Sequence, residues 1–174
     1  IEKYVHSGDE IALHAEPDFI GIQNYTREVV KHSYFTPYIN SSLVDAKNRV
    51  DEITEMAWEI YPQAMHEMLH QFSKYNFKKL YVTENGAAFP DIVENGNVND
   101  PKRISYLQAN IAEILKAKKE GVNVEGYFVW SFTDNFEWAE GYRPRFGIVH
   151  VDYETQKRII KASGRWYSNF LADF

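Results

Sequence analysis

Three short apolar segments along the chain predict buried β-strands. They cover residues 19–22, 80–82 and 127–130, and none of them alternates polar with apolar residues as a strand with one solvent-facing side does. Segments that are apolar on both faces are typical of parallel strands covered by helices. We therefore expect three parallel strands that are each buried on both faces.

A helical pattern follows each of these segments. The first predicted helix opens at Pro62 and the second opens behind Asp100, a favoured N-cap residue, and ends at Gly121. A third and weaker pattern covers residues 163–171. Strands that alternate with helices predict an α/β fold with right-handed crossovers. The apolar positions that recur every three or four residues are Met65, Met68, Leu69 and Phe72, then Ile104, Leu107, Ile111, Ile114 and Leu115, then Trp166, Phe170 and Leu171.

Two connections are much longer than the usual 2–6 residues or so. They cover residues 26–53 and 131–155 and follow the first and third predicted strands, whereas the returns from helix to strand are short. Long loops therefore gather at the carboxyl ends of the strands, where open sheets and barrels both place their ligand sites.

Composition narrows the class of protein. The length of 174 residues suits one domain covering 1–174, and 44% hydrophobic with 25% charged residues excludes disorder. The net charge of -6 offers no basic field, so neither nucleic acid nor an anionic membrane is expected as a partner. No apolar stretch approaches the roughly 20 residues of a membrane span, and the N-terminus lacks the layout of a signal peptide. The absence of cysteine excludes thiolate chemistry and fits a reducing compartment such as the cytoplasm.

Aromatic residues make up 16% of the chain and cluster at residues 25–38 and 127–146. Their flat faces suit the C–H faces of sugar rings. An aromatic-rich core explains the same composition equally well, so the rings alone do not distinguish a ligand site from a core.

Polar side chains stand at the end of each apolar segment. Gln23-Asn24-Tyr25 follows the first, Glu84 follows the second, and Trp130-Ser131 ends the third. A carboxylate at the end of a buried strand needs neighbouring hydrogen-bond donors, which is how functional carboxylates are commonly held. Glu84 is therefore the leading catalytic candidate. The alternative is an ordinary Asn-Gly turn, as predicted for the second Glu-Asn-Gly at residues 94–96, whose polar flanks are typical of a hairpin.

Several motifs occur together in a fixed order. They are Y-V-T-E-N-G at residues 81–86, G-Y-F-V-W-S-F-T-D-N-F-E-W at 126–138 and R-F-G-I-V at 145–149, with W-E-I-Y-P at 58–62 and D-Y-E-T-Q-K-R at 152–158. From about Asp18 to its end, this series resembles glycoside hydrolase family 1, the β-glucosidases and their relatives. The resemblance implies a (β/α)8 barrel that hydrolyses β-glycosides with retention of configuration and needs no cofactor.

The resemblance also implies roles for individual residues. Glu84 would be the nucleophile that forms a glycosyl-enzyme intermediate, and Tyr25 would hydrogen-bond Glu84 and help to hold it as an oriented carboxylate. The family's Asn-Tyr-Tyr reads Gln23-Asn24-Tyr25 here, so Gln23 and Asn24 have no assigned role. The implied substrate-binding residues are Glu137 as acceptor of two sugar hydroxyls, Trp130 as the platform beneath the ring, Trp138 as an indole donor and Phe146 as a ring of the pocket wall.

The chain is too short for the barrel that the resemblance implies. Such a barrel needs about 250 residues, and the three predicted strand–helix units correspond to the last three of the family. The missing units would carry the family's Asn-Glu-Pro, whose glutamate is the general acid/base. The nearest match here, Glu16-Pro17, follows Ala15 and precedes a strand. We therefore expect the C-terminal part of a barrel, inactive alone, whose partners are the N-terminal part and a small β-glycoside.

Two other functions stay open at this point. Residues 66–70 read His-Glu-Met-Leu-His and fit the H-E-x-x-H motif of zinc hydrolases. Ser73 and Asn76 replace the Gly and His of the motif's extended form, and Glu94, a possible third ligand, falls in the predicted hairpin. Both histidines are expected at the flank or on the outside of the α/β layer. We therefore expect no metal. A non-catalytic carbohydrate-binding unit would also use aromatic rings and a few carboxylates.

Overall fold

The computed structural model of the chain describes residues 2–75 and 77–173, so Asn76 lies outside the described residues. The helices in this part of the chain are α1 (Asp9–Leu13), α2 (Gln63–Ser73), α3 (Pro101–Lys119) and α4 (Ala162–Ala172). The strands are β1 (Ile20–Gln23), β2 (Val30–His32), β3 (Ser41–Leu43), β4 (Leu80–Asn85), β5 (Val93–Glu94), β6 (Asn97–Val98), β7 (Val124–Val129), β8 (Val149–Val151) and β9 (Arg158–Ile160).

The three predicted strands form one parallel sheet in the order β1-β4-β7. Helices α2 and α3 pack on the same face of this sheet, because Met65 and Leu69 of α2 and Ile114 of α3 share one apolar cluster with Leu80 and Val82 of β4. This arrangement confirms the predicted α/β fold. Among the described helices, none has the length and apolar character needed to cross a bilayer.

The prediction that every strand is buried on both faces is wrong for β1 and β7. Ile22 and Val124 are buried against the helices, whereas Gly21, Gln23 and Phe128 on these strands are exposed. The helices cover one face of the sheet, and the described residues leave much of the other face open. An open inner face is what three adjacent strands of an incomplete barrel would show.

A register irregularity separates the two side chains at the end of β4. Regular alternation would put Glu84 on the same side as Val82, which faces the helices. The pairing of β4 with β7 shifts between Val82 and Asn85, and that of β1 with β4 shifts between Ile22 and Gln23. Asn85 therefore takes the helix-facing side, where it contacts Asn110 of α3, and Glu84 points to the other side.

Both long connections are present and each leads into a small antiparallel hairpin. Strands β2 and β3 pair within the first, and β8, near the end of the second, pairs with β9 just beyond it. The predicted hairpin at residues 94–96 is also confirmed, since β5 pairs with β6 across Asn95 and Gly96, both of which have positive φ.

Asp100 precedes α3 as predicted, but its carboxylate caps a different helix. Its Oδ1 accepts the backbone N–H of Ser163 at 2.8 Å, and its Oδ2 accepts the Ser163 hydroxyl at 2.5 Å. Ser163 lies in the first turn of α4, where backbone N–H groups lack partners within the helix. The contact ties the start of α3 to the start of α4.

A buried cluster of charges fixes the segment between β7 and α4. Lys161 is fully buried and its Nζ donates to Asp134 Oδ1 at 2.8 Å while also pairing with Asp91. Arg145 donates to the other oxygen of Asp134 at 3.0 Å, and the N–H of Gly147 donates to Oδ1 at 2.9 Å. Removing one partner of such a buried pair typically costs about 3–5 kcal/mol, so this segment is held firmly beside the sheet.

The two Glu-Asn-Gly tripeptides need their glycines for different reasons. A Cβ at Gly86 would lie 1.7 Å from the carbonyl oxygen of Trp130, because the end of β7 approaches the end of β4 closely there. A Cβ at Gly96 would meet nothing within 4 Å, and φ of +74° explains that glycine instead.

We expect Gly86→Ala to lower the free energy of unfolding by more than about 3 kcal/mol, because the new methyl group overlaps backbone that cannot move without breaking the β4–β7 contact. Gly96→Ala is the matched control, with an expected loss of about 1–2 kcal/mol from its left-handed backbone alone. Urea unfolding measures both values. Equal losses in the two variants would contradict the close approach at Gly86.

Candidate active site

Tyr25 and Glu84 meet at the carboxyl ends of neighbouring parallel strands. The phenol of Tyr25 donates to Glu84 Oε2 at 2.6 Å, which lies in the range of charge-assisted O–H···O bonds. Gln23 and Glu84 are register partners, and the N–H of Asn24 donates to the carbonyl of Glu84 at 3.1 Å. The pairing of β1 with β4 therefore sets the distance between the two side chains.

The surroundings of Tyr25 keep it a hydrogen-bond donor. Burial raises the pKa of its phenol well above the ordinary value, and the hydrogen bond to Glu84 and the charges of Glu84 and Glu137 raise it further. The phenol consequently keeps its proton at neutral pH and directs it at the carboxylate.

The ring of Tyr25 is held from behind by two other rings. Trp58 lies 5.4 Å and Phe146 6.2 Å from it between ring centroids, and these two rings also contact each other. The hydroxyl of Tyr106 on α3 donates to the backbone carbonyl of Tyr25 at 3.0 Å. Side chain and backbone of Tyr25 are thus both fixed by packing and hydrogen bonding.

Asn85 joins the three strands and α3 directly beneath the Glu84 position. It is fully buried, and its Nδ2 donates to the carbonyl of Asn24 at 2.7 Å and to the hydroxyl of Tyr106 at 3.0 Å. Its Oδ1 accepts from the hydroxyl of Tyr127 on β7 at 2.8 Å. The sequence pattern predicts only a turn residue here, because these partners lie far away along the chain.

Two arginines bind the carboxylate of Glu59 and hold the first long connection, residues 26–53, beside Tyr25. Glu59 is buried, and Arg27 donates to both of its oxygens at 3.0 Å while Arg49 donates at 2.8 Å. The hydrogen bond from Arg27 is the main cause that lowers the pKa of Glu59, and burial opposes it. The motif at residues 58–62 contains Glu59, but no sequence signal identifies its partners.

Trp130 and Glu137 form a second pair at the same rim. The indole N–H of Trp130 donates to Glu137 Oε1 at 3.3 Å, and its backbone N–H donates to the carbonyl of Asn85 at 2.9 Å. Burial raises the pKa of Glu137, the Trp130 hydrogen bond opposes this rise, and the charge of Glu84 adds to it. Glu84 and Glu137 therefore act on each other electrostatically.

Two predicted sugar-binding residues stand apart from this pair. Trp138 is 95% exposed and, within the described part of the chain, its indole makes no side-chain hydrogen bond or ring contact. Phe146 is only 2% exposed and presents its ring to Tyr25 and Trp58. The structure thus brings together Tyr25, Glu84, Trp130 and Glu137, and places Phe146 behind them.

The H-E-x-x-H motif lies elsewhere. His66 and His70 are on α2, partly exposed as expected, and both contact Glu120 at the end of α3. The predicted third ligand Glu94 is exposed in the β5–β6 hairpin. This motif therefore has no part in the Tyr25–Glu84 site.

The raised pKa of Glu137 predicts a pH-dependent effect of Glu137→Gln on stability. A carboxyl group whose pKa is raised by folding favours the native state below the unfolded-state pKa, and this contribution is lost as pH rises through the native-state pKa. We expect Glu137→Gln to be more stable than the wild type at pH 7, by no more than about 1 kcal/mol because solvent screens the group partly. The difference should disappear at pH 3.

Urea unfolding at the two pH values measures this difference, with Glu154→Gln on the exposed surface as the control. A Glu137→Gln variant that is less stable than the wild type at pH 7 would contradict the electrostatic description of the site.

Comparison with known proteins agrees with this geometry. Residues 1–173 match the family model described as Glycosyl hydrolase family 1. The 1,4-beta-D-glucan glucohydrolase of Thermotoga neapolitana is 47% identical over 168 residues, which cover 95% of this chain and 37% of that protein. Beta-glucosidase A of Thermotoga maritima is 48% identical over 168 residues, with the same coverage of 95% and 37%.

A solved structure shows the same backbone arrangement. The family 1 β-glucosidase from Thermotoga maritima superposes with a TM-score of 0.84 at 49% identity, covering 89% of this chain and 34% of that one. The chain spans about a third of the length of these relatives, with three strand–helix units and no closed barrel in its described part. On the family match, the identity and the superposition together, the chain belongs to glycosyl hydrolase family 1.

Proposed function

We propose that residues 1–174 form the C-terminal part of one barrel domain and supply the nucleophile side of a retaining β-glucosidase site. The observation that carries the proposal is the hydrogen bond of 2.6 Å between Tyr25 and Glu84 at the carboxyl rim of the sheet. The relatives at 47% and 48% identity are named as a glucan glucohydrolase and a β-glucosidase, which supports a β-glucoside as substrate.

Glu84 would act as the nucleophile. Its carboxylate attacks the anomeric carbon, a C–O bond to the enzyme forms as the bond to the leaving group breaks, and the leaving oxygen takes a proton from a second carboxyl group. Water then attacks the same carbon, giving its proton to that second group and releasing Glu84. Two inversions give net retention. Tyr25 holds Oε2, which leaves Oε1 as the oxygen that attacks.

Glu137 and Trp130 would bind the sugar. A carboxylate accepts paired hydroxyls, and a broad indole face suits the C–H face of a ring. The link of 3.3 Å between them would fix the acceptor relative to the platform. Trp138 is available for an indole donor role, and Phe146 would shape the pocket wall from behind Tyr25.

The second carboxyl group would come from the N-terminal part of the barrel. Retaining hydrolysis needs two carboxyl groups about 5–5.5 Å apart, and Glu137 is engaged by Trp130. Within the described sheet β1 and β7 each pair with β4 alone, and Phe128 on β7 and Phe132 just after it are exposed. Free edges and exposed rings call for a covering partner, which the preceding strand–helix units would provide. We further propose a cytoplasmic location, because 174 residues without cysteine fit a reducing compartment.

The proposal is tested by combining the chain with a polypeptide that carries the preceding units and by measuring hydrolysis of an aryl β-glucoside. We expect turnover only in the combination. Glu84→Gln should lower kcat by more than about 10⁴-fold, as expected on removal of a nucleophile. Tyr25→Phe should lower it by about 10–100-fold, the equivalent of one hydrogen bond to a charged group.

Glu94→Gln is the matched control, because it changes the same residue of the second Glu-Asn-Gly tripeptide and should leave kcat within about twofold. Brisk turnover by the chain alone would contradict the incomplete site. Full activity of Glu84→Gln would contradict its role, and sugar binding without any turnover in the wild-type combination would favour a carbohydrate-binding unit.

A further inference from the structure

Two groups of side chains in the described residues have the composition of a metal site. One combines Asp91, Asp134 and His150, and the other combines His66, His70 and Glu120. The first group is already neutralised, because the buried ammonium of Lys161 contacts both of its carboxylates. A metal ion there would have to displace a buried cation, so only the second group is suited to a metal.

His66, His70 and Glu120 converge at one point on the outer side of the helix layer. The Nε2 atoms of both histidines lie 2.7 Å from the same oxygen, Oε2 of Glu120. The two imidazole rings are 4.5 Å apart between centroids, as expected for positions i and i+4 on one helix face. The three candidate ligand atoms all lie within 4.8 Å of one another.

Rigid elements hold these ligands. His66 and His70 directly follow Met65 and Leu69, which are fully buried in the apolar cluster beneath α2. Glu120 is the C-terminal cap of α3, and its N–H bonds back to the last turn of that helix. Sites on packed helices keep their geometry better than sites on loops, so little ordering would be needed on binding.

We propose that His66, His70 and Glu120 form a binding site for Zn²⁺ or a similar divalent transition metal, which links α2 to α3. Imidazole nitrogen and carboxylate oxygen bind Zn²⁺ at about 2.0–2.2 Å, so the ligand atoms of a tetrahedral site stand about 3.3 Å apart. The present spacing of 2.7 Å reaches this value through small side-chain rotations. The side chains are 20%, 36% and 42% exposed, which leaves room for a water as the fourth ligand.

The charges around the site attract a cation only weakly. The C-terminal end of a helix carries a partial negative charge that attracts cations, and Glu120 adds a full one. Three lysines in the last turn, Lys116, Lys118 and Lys119, weaken that attraction. Affinity therefore depends on direct ligation, which favours transition metals over Mg²⁺ or Ca²⁺.

The site is structural, not hydrolytic. Glu120 precedes the start of β7 at Val124, so it lies at the rim opposite the carboxyl ends where Glu84 is found. Glu67, which would activate water in a zinc hydrolase, is exposed and does not belong to the converging group. The ion would hold two neighbouring helices together without acting on the sugar.

The test is a titration of the metal-free 174-residue chain with Zn²⁺, and with Co²⁺ as a spectroscopic probe. We expect one Zn²⁺ per chain and a rise in Tm of about 5–10 °C at a free Zn²⁺ concentration of about 100 times Kd. Co²⁺ should give the intense visible bands of a four-coordinate site. His70→Ala and Glu120→Gln should each weaken Zn²⁺ binding by at least about 100-fold, since loss of a direct ligand exceeds the usual effect of a supporting group.

His14→Ala is the matched control, because His14 is an exposed histidine beside a glutamate and lies outside the converging group. It should leave the Kd for Zn²⁺ unchanged within about twofold. Zn²⁺ binding of equal strength in the wild type and Glu120→Gln would overturn the proposal, because the motif on α2 alone would then explain it. Absence of Zn²⁺ binding by the wild type at millimolar concentration would overturn it as well.

Discussion

The parallel pairing of β4 with β1 on one side and β7 on the other is the constraint on which the site depends. Parallel strands bring their carboxyl ends to one edge, and here that edge gathers Tyr25, Glu84 and Trp130. The irregularity at the end of β4 is equally important, because it turns Asn85 toward the helices and leaves Glu84 facing its phenol partner. The buried Asn85 network then fixes the edge against α3, so that Glu84 is held by the fold and not by a flexible loop.

Much of this arrangement was predictable from local patterns. Continuous apolar segments predict the three strands, and apolar residues every three or four positions predict α2, α3 and α4. The position of Glu84 at the end of a buried apolar segment distinguishes it from Glu94, which lies in a solvent-exposed hairpin. These features depend on residues within a few positions of one another, which is the range over which a single sequence carries physical information.

The features that escaped prediction depend on partners distant in the chain. Asn85 bonds Tyr106 and Tyr127, which are 21 and 42 positions away, and Asp100 caps a helix that starts 62 positions later. The shared contact of His66 and His70 with Glu120 likewise spans about 50 positions. A short apolar segment does not reveal that helices cover only one side of an incomplete sheet. The sequence therefore predicts burial on both faces, which is wrong for β1 and β7. The role of Tyr25 came from family resemblance, and the structure adds the contact of 2.6 Å that supports it.

The nucleophilic role of Glu84 in the covalent step, with the rest of the chain orienting its carboxylate, is our proposal for this site. It is tested most directly by treating the assembled barrel with a dinitrophenyl 2-deoxy-2-fluoro-β-glucoside, whose fluorine slows breakdown of the glycosyl-enzyme and whose good leaving group needs little acid assistance. Mass spectrometry of the digested protein then locates the sugar. We expect one fluoroglucosyl group on Glu84. Labelling of Glu137, or steady release of dinitrophenol without any labelled peptide, would show that Glu84 is not the nucleophile.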